Sequence, residues 1–164
     1  MKNIFQILFF FYSINFFSQN SKYTLSIKLT NIQSQKGYIQ FGLYNTSSKF
    51  PKVGKTYRMI RLIPNGNSLL CLFEDLEPAN YAVCVYHDEN NNNICDKNFF
   101  GVPKEAYAFM NDVRPIFSNP NFEECSINLN KDKLIIIKLI YGSLIIFKLK
   151  SFDYSKSIKT SQAC

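Results

Sequence analysis

The 164-residue sequence contains no tryptophan, only one histidine and no pair of cysteines in a CxxC arrangement. Because His87 is the only imidazole, histidine and cysteine together supply too few soft ligands for a structural zinc site. The five cysteines are an odd number, so at most two disulfide bridges form, and a domain of this length does not need them to hold its fold. Zinc-stabilised and disulfide-stapled scaffolds are therefore not expected.

The cysteines lie far apart along the chain. Cys71 and Cys84 fall in consecutive strand-like segments and are the best-placed pair for a bridge. In the alternative, which we favour, both are small buried apolar residues with free thiols. The remaining three are Cys95, Cys125 and Cys164.

The central part of the chain also lacks a strong charge of either sign. Residues 19–130 carry eleven Lys or Arg against ten Asp or Glu, a net +1, whereas residues 131–164 carry seven Lys against two Asp, a net +5. A basic C-terminal tail on a nearly neutral domain indicates solubility or contact with an acidic surface, so we do not expect nucleic-acid binding.

No apolar run is long enough to cross a membrane without interruption. Residues 1–18 combine Lys2, a short apolar stretch and the small residue Ser18, which predicts a secretory signal peptide cleaved after Ser18 and a mature chain without a membrane span. Phe16 fits the cleavage rule poorly, so an uncleaved anchor stays open as an alternative. The expected location is secreted, periplasmic or at the cell envelope.

What the sequence does contain favours strands. Apolar residues make up 46% and aromatic residues 16% of the chain, with many Ile, Phe, Tyr and Asn, and this composition indicates an all-β domain over residues 19–141. A C-terminal extension follows at 142–164, with an extra edge strand at 144–149 and then a disordered basic tail as the expectation.

Alternation of apolar and polar residues locates the first strands. Residues 23–29 and 38–44 each place every second residue on one face, and we expect the two strands to pair as antiparallel neighbours. Residues 56–63 and 68–74 are further strands, and the Asn65-Gly66 step between them predicts a hairpin. The inward residues expected in the first two strands are Leu25, Ile27, Leu29, Ile39, Phe41 and Leu43.

Residues 73–81 resemble the corner of a β-sandwich, where the chain crosses between sheets. In such a corner a tyrosine hydroxyl is hydrogen-bonded back to the backbone of the turn, and Tyr81 is placed for this role. An ordinary half-buried strand aromatic is the alternative.

The segment from His87 to Asp96 has the spacing of a loop that binds a hard cation. Side chains of Asp88, Asn90 and Asn92, the carbonyl of Ile94 and the side chain of Asp96 would occupy positions 1, 3, 5, 7 and 9 of a calcium loop. The sequence therefore predicts a calcium site here.

This calcium loop would be weak. Position 12 is Phe99 instead of a bidentate Glu, so a further carboxylate, Glu105 or Asp112, would have to come from outside the loop. The expected dissociation constant is about 0.1–1 mM, as in extracellular modules, and the ion would stiffen the loop. The alternative is an Asn-rich turn held by its own side-chain hydrogen bonds without metal.

Other functional hypotheses involve His87 and the residues after the loop. His87 with Glu105 or a cysteine could serve a hydrolase-type enzyme, but adjacent residues of a strand point to opposite faces, so His87 and Asp88 would not orient each other. His87, Lys104, Glu105 and Tyr107 could instead face a ligand such as a glycan or an envelope protein. An ordinary surface loop is the alternative.

Several segments resemble a bacterial family, domain of unknown function 2141. The resemblance lies in Tyr81 to Asn90 with Asp96, in Phe100-Gly101-Val102-Pro103-Lys104-Glu105 and in Pro120-Asn121-Phe122-Glu123, and it covers about residues 23–141. It implies a small exported β-sandwich with no assigned activity. Where the family usually has glycine, this chain has Asn91, Asn93, Ala106 and Ala108.

Residues and resemblance together predict one antiparallel β-sandwich of about seven strands, immunoglobulin- or transthyretin-like. The sandwich would be a binding or structural module of the cell envelope and not an enzyme. Sandwich enzymes that use several histidines, such as transthyretin-like hydrolases and intradiol dioxygenases, are disfavoured because this chain has only one.

Overall fold

A computed structural model describes residues 21–52, 54–97, 99, 103–115 and 118–141. The predicted signal peptide at 1–18 and the C-terminal extension at 142–164 lie outside the described residues.

The described chain is an all-β sandwich, which confirms the predicted fold class with eight strands in place of about seven. A short 3-10 turn at Met110–Asp112 follows the sixth strand. The strands are β1 (Tyr23–Thr30), β2 (Tyr38–Tyr44), β3 (Arg58–Leu62), β4 (Ser68–Leu76), β5 (Ala79–Asp88), β6 (Tyr107–Phe109), β7 (Ser126–Leu129) and β8 (Lys133–Lys138).

The strands form two sheets. Sheet I has the order β4-β1-β8, and sheet II has the order β3-β2-β5-β6, with β7 also pairing along β5. The pairs are antiparallel except for β1 with β8, which run parallel. Burying one apolar face of each sheet against the other is what stabilises such a two-layer arrangement.

The main core lies between the two sheets and contains the inward residues predicted from alternation. All six are completely buried, which confirms that the period-two pattern identified the buried faces correctly. They are Leu25, Ile27, Leu29, Ile39, Phe41 and Leu43.

The predicted neighbours of β1 and β3 are wrong. β1 pairs with β4 and β8, not with β2, and β3 pairs with β2, not with β4. Residues 31–37 and 63–67 therefore cross between the sheets instead of closing hairpins. The two crossings contact each other, since the N–H of Ile32 donates to the carbonyl of Asn67 at 3.0 Å and the N–H of Gly66 to Oε1 of Gln35 at 2.8 Å.

A second apolar cluster covers the outer face of sheet II. Phe50, from the loop after β2, packs edge-on against Tyr44, Phe109 and Phe122 at centroid distances of 5.2, 6.1 and 5.9 Å. Phe50 therefore attaches its loop to the body of the sandwich. The loop between β6 and β7 contributes Phe122, so both faces of sheet II are buried in this region.

Cys71 and Cys84, the best-placed pair for a bridge, do not form one. Cys71 lies on β4 in sheet I and Cys84 on β5 in sheet II, and both are free thiols, as are Cys95 and Cys125. Burial raises the pKa of Cys71 and Cys84 to about 12, so both stay protonated at neutral pH. The favoured alternative of free cysteines is correct, although Cys84 is only half-buried.

The predicted corner at Tyr81 is confirmed. β4 in sheet I ends at Leu76 and β5 in sheet II begins at Ala79, so the chain changes sheets within two residues. The Tyr81 hydroxyl donates to the carbonyl of Glu77 at 3.0 Å, and its ring is buried in the main core.

Removal of this hydroxyl should weaken the corner. We expect Tyr81→Phe to lower the free energy of unfolding by about 1 kcal/mol, because the Glu77 carbonyl loses its buried donor while the ring keeps its packing. Urea unfolding followed by fluorescence or circular dichroism measures the difference. Tyr57→Phe is the matched control, since Tyr57 packs near Tyr81 but is 45% exposed, and its effect should stay within about 0.5 kcal/mol.

Candidate metal-binding loop

The loop begins where β5 ends, at the edge of the sandwich. β5 pairs with β2 up to Asp88, which lies opposite Tyr38, while His87 lies opposite Ile39 on the core side. Because side chains alternate along a strand, Asp88 points away from His87, as predicted. Both side chains are completely buried.

The Asp88 carboxylate organises the first turn of the loop. Its Oδ1 accepts the N–H of Asn92 at 3.1 Å, and its Oδ2 accepts the N–H of Asn93 at 3.0 Å. The same Oδ2 forms an ion pair of 2.9 Å with Nη2 of Arg61 on β3. A buried carboxylate is thus satisfied by two backbone donors and one cation, as burial of its charge requires.

Two asparagines take the backbone conformation that usually belongs to glycine. Asn91 and Asn93 have φ of 60° and 65°, in the left-handed region that asparagine tolerates better than other non-glycine residues. Asn93 is the sixth residue counted from Asp88, the position at which calcium loops make a sharp turn with glycine. The two departures from the family's glycines therefore leave the turn intact.

The amide side chains of the loop converge on Asp96. Nδ2 of Asn90 and of Asn92 donate to Oδ2 of Asp96 at 2.8 and 3.1 Å. Their Oδ1 atoms accept the N–H groups of Asn92 and Ile94 at 3.1 and 2.8 Å. Positions 3, 5 and 9 of the predicted loop are therefore gathered around one point.

Of the two carboxylates suggested as an additional ligand, the structure brings only Glu105 to the loop. Oε2 of Glu105 accepts the N–H of Asp96 at 3.2 Å, and the N–H of Lys104 donates to the carbonyl of Asp96 at 2.7 Å. Asp112 instead accepts the N–H of Lys138 at 2.8 Å, beside β8. Glu105 is therefore the carboxylate from outside the loop that lies beside the predicted ligands.

Burial raises the pKa of Glu105. The charges of Asp88 and Asp96 raise it further, while hydrogen bonds from the backbone N–H groups of Asp96 and Glu89 oppose the shift. A folded-state pKa above the unfolded value of about 4.3 means that the native state binds this proton more tightly. The contribution of Glu105 to stability is then present at low pH and is lost as the pH rises through the folded pKa.

Glu105→Gln should remove this pH dependence. We expect the free energy of unfolding of the variant to increase relative to that of wild type as the pH rises from 4 to 7. The reason is that wild type acquires a buried negative charge at position 105 over this range and the variant does not. Urea unfolding in chelator at several pH values measures this trend. Glu74→Gln, at an exposed position on β4, is the control and should show a constant difference. A constant difference for Glu105→Gln as well would contradict the expectation.

The loop's acidic groups alone do not complete a metal site. Among the residues that the structure describes, no three His, Cys, Asp or Glu side chains are gathered to hold a metal ion. The side chain of Phe99, at position 12, is 97% exposed, and its phenyl ring offers no oxygen atom to a metal ion. Calcium would therefore need amide and carbonyl oxygens of the loop, the ligands expected from Asn90, Asn92 and Ile94.

The remaining candidate residues are not brought together as one exposed face. His87 is buried, with Nε2 2.7 Å from the carbonyl of Lys36 and Nδ1 4.0 Å from Oε1 of Glu89. Tyr107 is buried in the second apolar cluster, and only Lys104 is exposed.

Cys84 and Cys95, the cysteines nearest to His87 in the sequence, are also unsuited to act as nucleophiles. Burial raises the pKa of Cys84 to about 12 and that of Cys95 to about 11. Because the thiolate is the nucleophile, neither cysteine is activated at neutral pH.

Arg61 is the site residue that sequence reasoning missed. It is 27 residues before Asp88 and reaches it because β3 and β5 both pair with β2. The prediction that β3 forms a hairpin with β4 placed Arg61 in the wrong sheet. No local pattern in the sequence connects it with the loop.

Comparison with known proteins identifies a family but no function. A family model described as "Uncharacterized protein conserved in bacteria (DUF2141)" matches residues 27–136. No curated protein and no solved structure matches the chain. In the described part of the chain, no helix is long and apolar enough to cross a membrane.

Proposed function

The chain belongs to the DUF2141 family of uncharacterized bacterial proteins. Because the family gives no function, we propose one from the structure of the loop at residues 88–96. The protein is an exported β-sandwich module of the cell envelope, and calcium bound by this loop stiffens it. The observation that carries the proposal is the backbone of this loop. The carboxylate of Asp88 accepts hydrogen bonds from the N–H groups of Asn92 and Asn93, the fifth and sixth residues of the loop. The backbone of Asn93 is in the left-handed conformation. A calcium loop requires the same sharp turn at its sixth position.

The side chains support the same proposal. Asp88, Asn90, Asn92 and Asp96 supply carboxylate and amide oxygens, which hard cations prefer, and Asn90 and Asn92 already lie against Asp96. Rotation of each terminal amide by half a turn would present its oxygen in place of its nitrogen. The carbonyl of Ile94 and the nearby Glu105 would complete the ligand set.

Thermal unfolding tests the calcium proposal directly. Calcium at ten to a hundred times its dissociation constant should add about 1.4–2.7 kcal/mol of stability relative to chelator, with a rise in Tm of several degrees. Magnesium at equal concentration should add less, because it demands a tighter, more regular shell. The rise should saturate with calcium concentration.

A pair of charge-matched variants separates site binding from a general salt effect. Asp96→Asn keeps the shape of the loop but removes a ligand charge, and we expect most of the calcium-induced rise to disappear. Asp132→Asn removes the same charge at an exposed residue whose Oδ1 accepts the N–H of Thr24, and it should respond like wild type. Equal responses to calcium and magnesium in all three proteins would overturn the proposal.

Export is supported by the pattern of residues 1–18, with Lys2, an apolar stretch and Ser18. Cell fractionation and the mass of the processed protein test it, and we expect an envelope or secreted fraction with a chain that begins at Gln19. An intact Met1 in the cytoplasm would contradict export. A glycan or an envelope protein is the proposed partner class for the exposed loop and Lys104.

A further inference from the structure

Arg61 joins the beginning and the middle of the loop through one guanidinium group. Nη2 lies 2.9 Å from Oδ2 of Asp88, and Nη1 contacts Oδ1 of Asn93. The guanidinium also lies over the ring of Tyr38, 4.7 Å from its centroid. A positive charge is therefore fixed beside the carboxylate that holds position 1 of the proposed calcium loop.

We propose that Arg61 is a built-in competitor of calcium: it keeps the loop ordered without metal and sets a low affinity for the ion. This inference rests on the proposed calcium function. Arg61 would regulate the calcium affinity of the loop without being a calcium ligand itself.

The hydrogen bonds of Asp88 explain the competition. A carboxylate offers about four lone-pair positions, and three are used by the N–H groups of Asn92 and Asn93 and by Arg61. Calcium would find one position open, or would have to displace the guanidinium. Bidentate coordination by Asp88 is possible only after Arg61 has moved.

The charge balance acts in the same direction. The three carboxylates of the proposed ligand set, Asp88, Asp96 and Glu105, carry three negative charges when ionised, and Arg61 reduces the sum for these four groups to −2. A like charge a few ångströms from a bound divalent ion weakens binding, and solvent reaches this pair only from the Arg61 side because Asp88 is completely buried. Removal of Arg61 should therefore strengthen calcium binding by about tenfold.

The Arg61 side chain has few contacts to lose when calcium binds. It is 28% exposed, and its Nε is buried without a hydrogen-bond partner in the described part of the chain. It contacts Asp88, Asn93 and the Tyr38 ring, so loss of the ion pair would let the guanidinium turn towards solvent. An arginine fixed by a larger hydrogen-bond network would not exchange in this way.

The test compares Arg61→Met with Arg58→Met in calcium titrations of the purified protein, followed by thermal unfolding and by calorimetry. Arg58 lies on the same strand and also stacks on a tyrosine, but it donates to the carbonyls of Glu74 and Asp75. In chelator, Arg61→Met should have a lower Tm than wild type. Its calcium affinity should be about tenfold higher and its calcium-induced rise larger, whereas Arg58→Met should keep the wild-type affinity.

The opposite signs of the two Arg61→Met effects distinguish a competitor from a purely structural residue, whose loss would lower both stability and affinity. If wild type binds calcium and Arg61→Met binds it equally or more weakly, the competitor role is overturned and the calcium function stands. If neither protein responds to calcium, both proposals fail. Should Arg61→Met not fold, Arg61→Lys, which cannot bridge two acceptors in the same plane, should show a smaller increase in affinity; an unchanged or lower affinity would overturn the role.

Discussion

Replacing Phe73 with alanine should lower the free energy of unfolding by about 3–5 kcal/mol. Phe73 is 1% exposed and lies on β4 opposite Leu25, in the core between the two sheets. Truncation removes buried apolar area and leaves a cavity that rigid strands on both sides cannot close. Urea unfolding measures the loss through a lower midpoint at an unchanged slope.

The neighbouring residue provides a control in the same strand. Leu72 points to the outer face of sheet I and is 43% exposed, so Leu72→Ala should cost less than about 1 kcal/mol. The difference between the two stability losses separates the effect of burial from the effects of strand propensity and sequence context. Equal costs at Leu72 and Phe73 would contradict the placement of the core between the sheets.

Replacing Asp88 with alanine should lower the free energy of unfolding by about 2–4 kcal/mol, even in chelator. The change removes the acceptors of the Asn92 and Asn93 N–H groups and leaves Arg61 without its carboxylate. Loss of one member of a buried charged pair costs more than the pair contributes in total, although Arg61 can recover some hydration because it is partly exposed.

A double-mutant cycle checks that the cost comes from this pair. Arg61→Met in the Asp88→Ala background should cost little further, so the two changes should be clearly non-additive. Glu89→Ala, at the exposed next position, is the control and should change stability by less than about 0.5 kcal/mol. Additive losses would show that Arg61 and Asp88 stabilise the fold independently.

These two predictions concern different levels of the structure. The Phe73 result depends on the two-sheet core, whereas the Asp88 result depends on the loop and on the register that brings β3 near β5. A protein with the expected loss at Phe73 and none at Asp88 would have the sandwich core but a loop held by other contacts.

Local features were predictable because they depend on residues close together in the sequence. Alternation identified the buried faces of β1 and β2, since successive side chains of a strand point in opposite directions. The run of asparagines between Asp88 and Asp96 indicated a tight loop, and Asn91 and Asn93 take the left-handed conformation that asparagine tolerates. Tyr81 and the carbonyl of Glu77 are four residues apart, so the corner could also be recognised.

Only the tertiary structure decided which strands are neighbours and which distant residues meet at the loop. The same alternation fits a hairpin or a crossing between sheets, so the partners of β1 and β3 were mispredicted. Arg61 reaches the loop because β3 pairs with β2, and Glu105 reaches it because the following strand β6 pairs with β5, while Asp112, equally acidic, lies beside β8. Periodicity depends on the geometry of a single strand, so a short stretch of sequence shows it. Strand pairing depends on how the whole chain buries its apolar faces, so no short stretch of sequence predicts it.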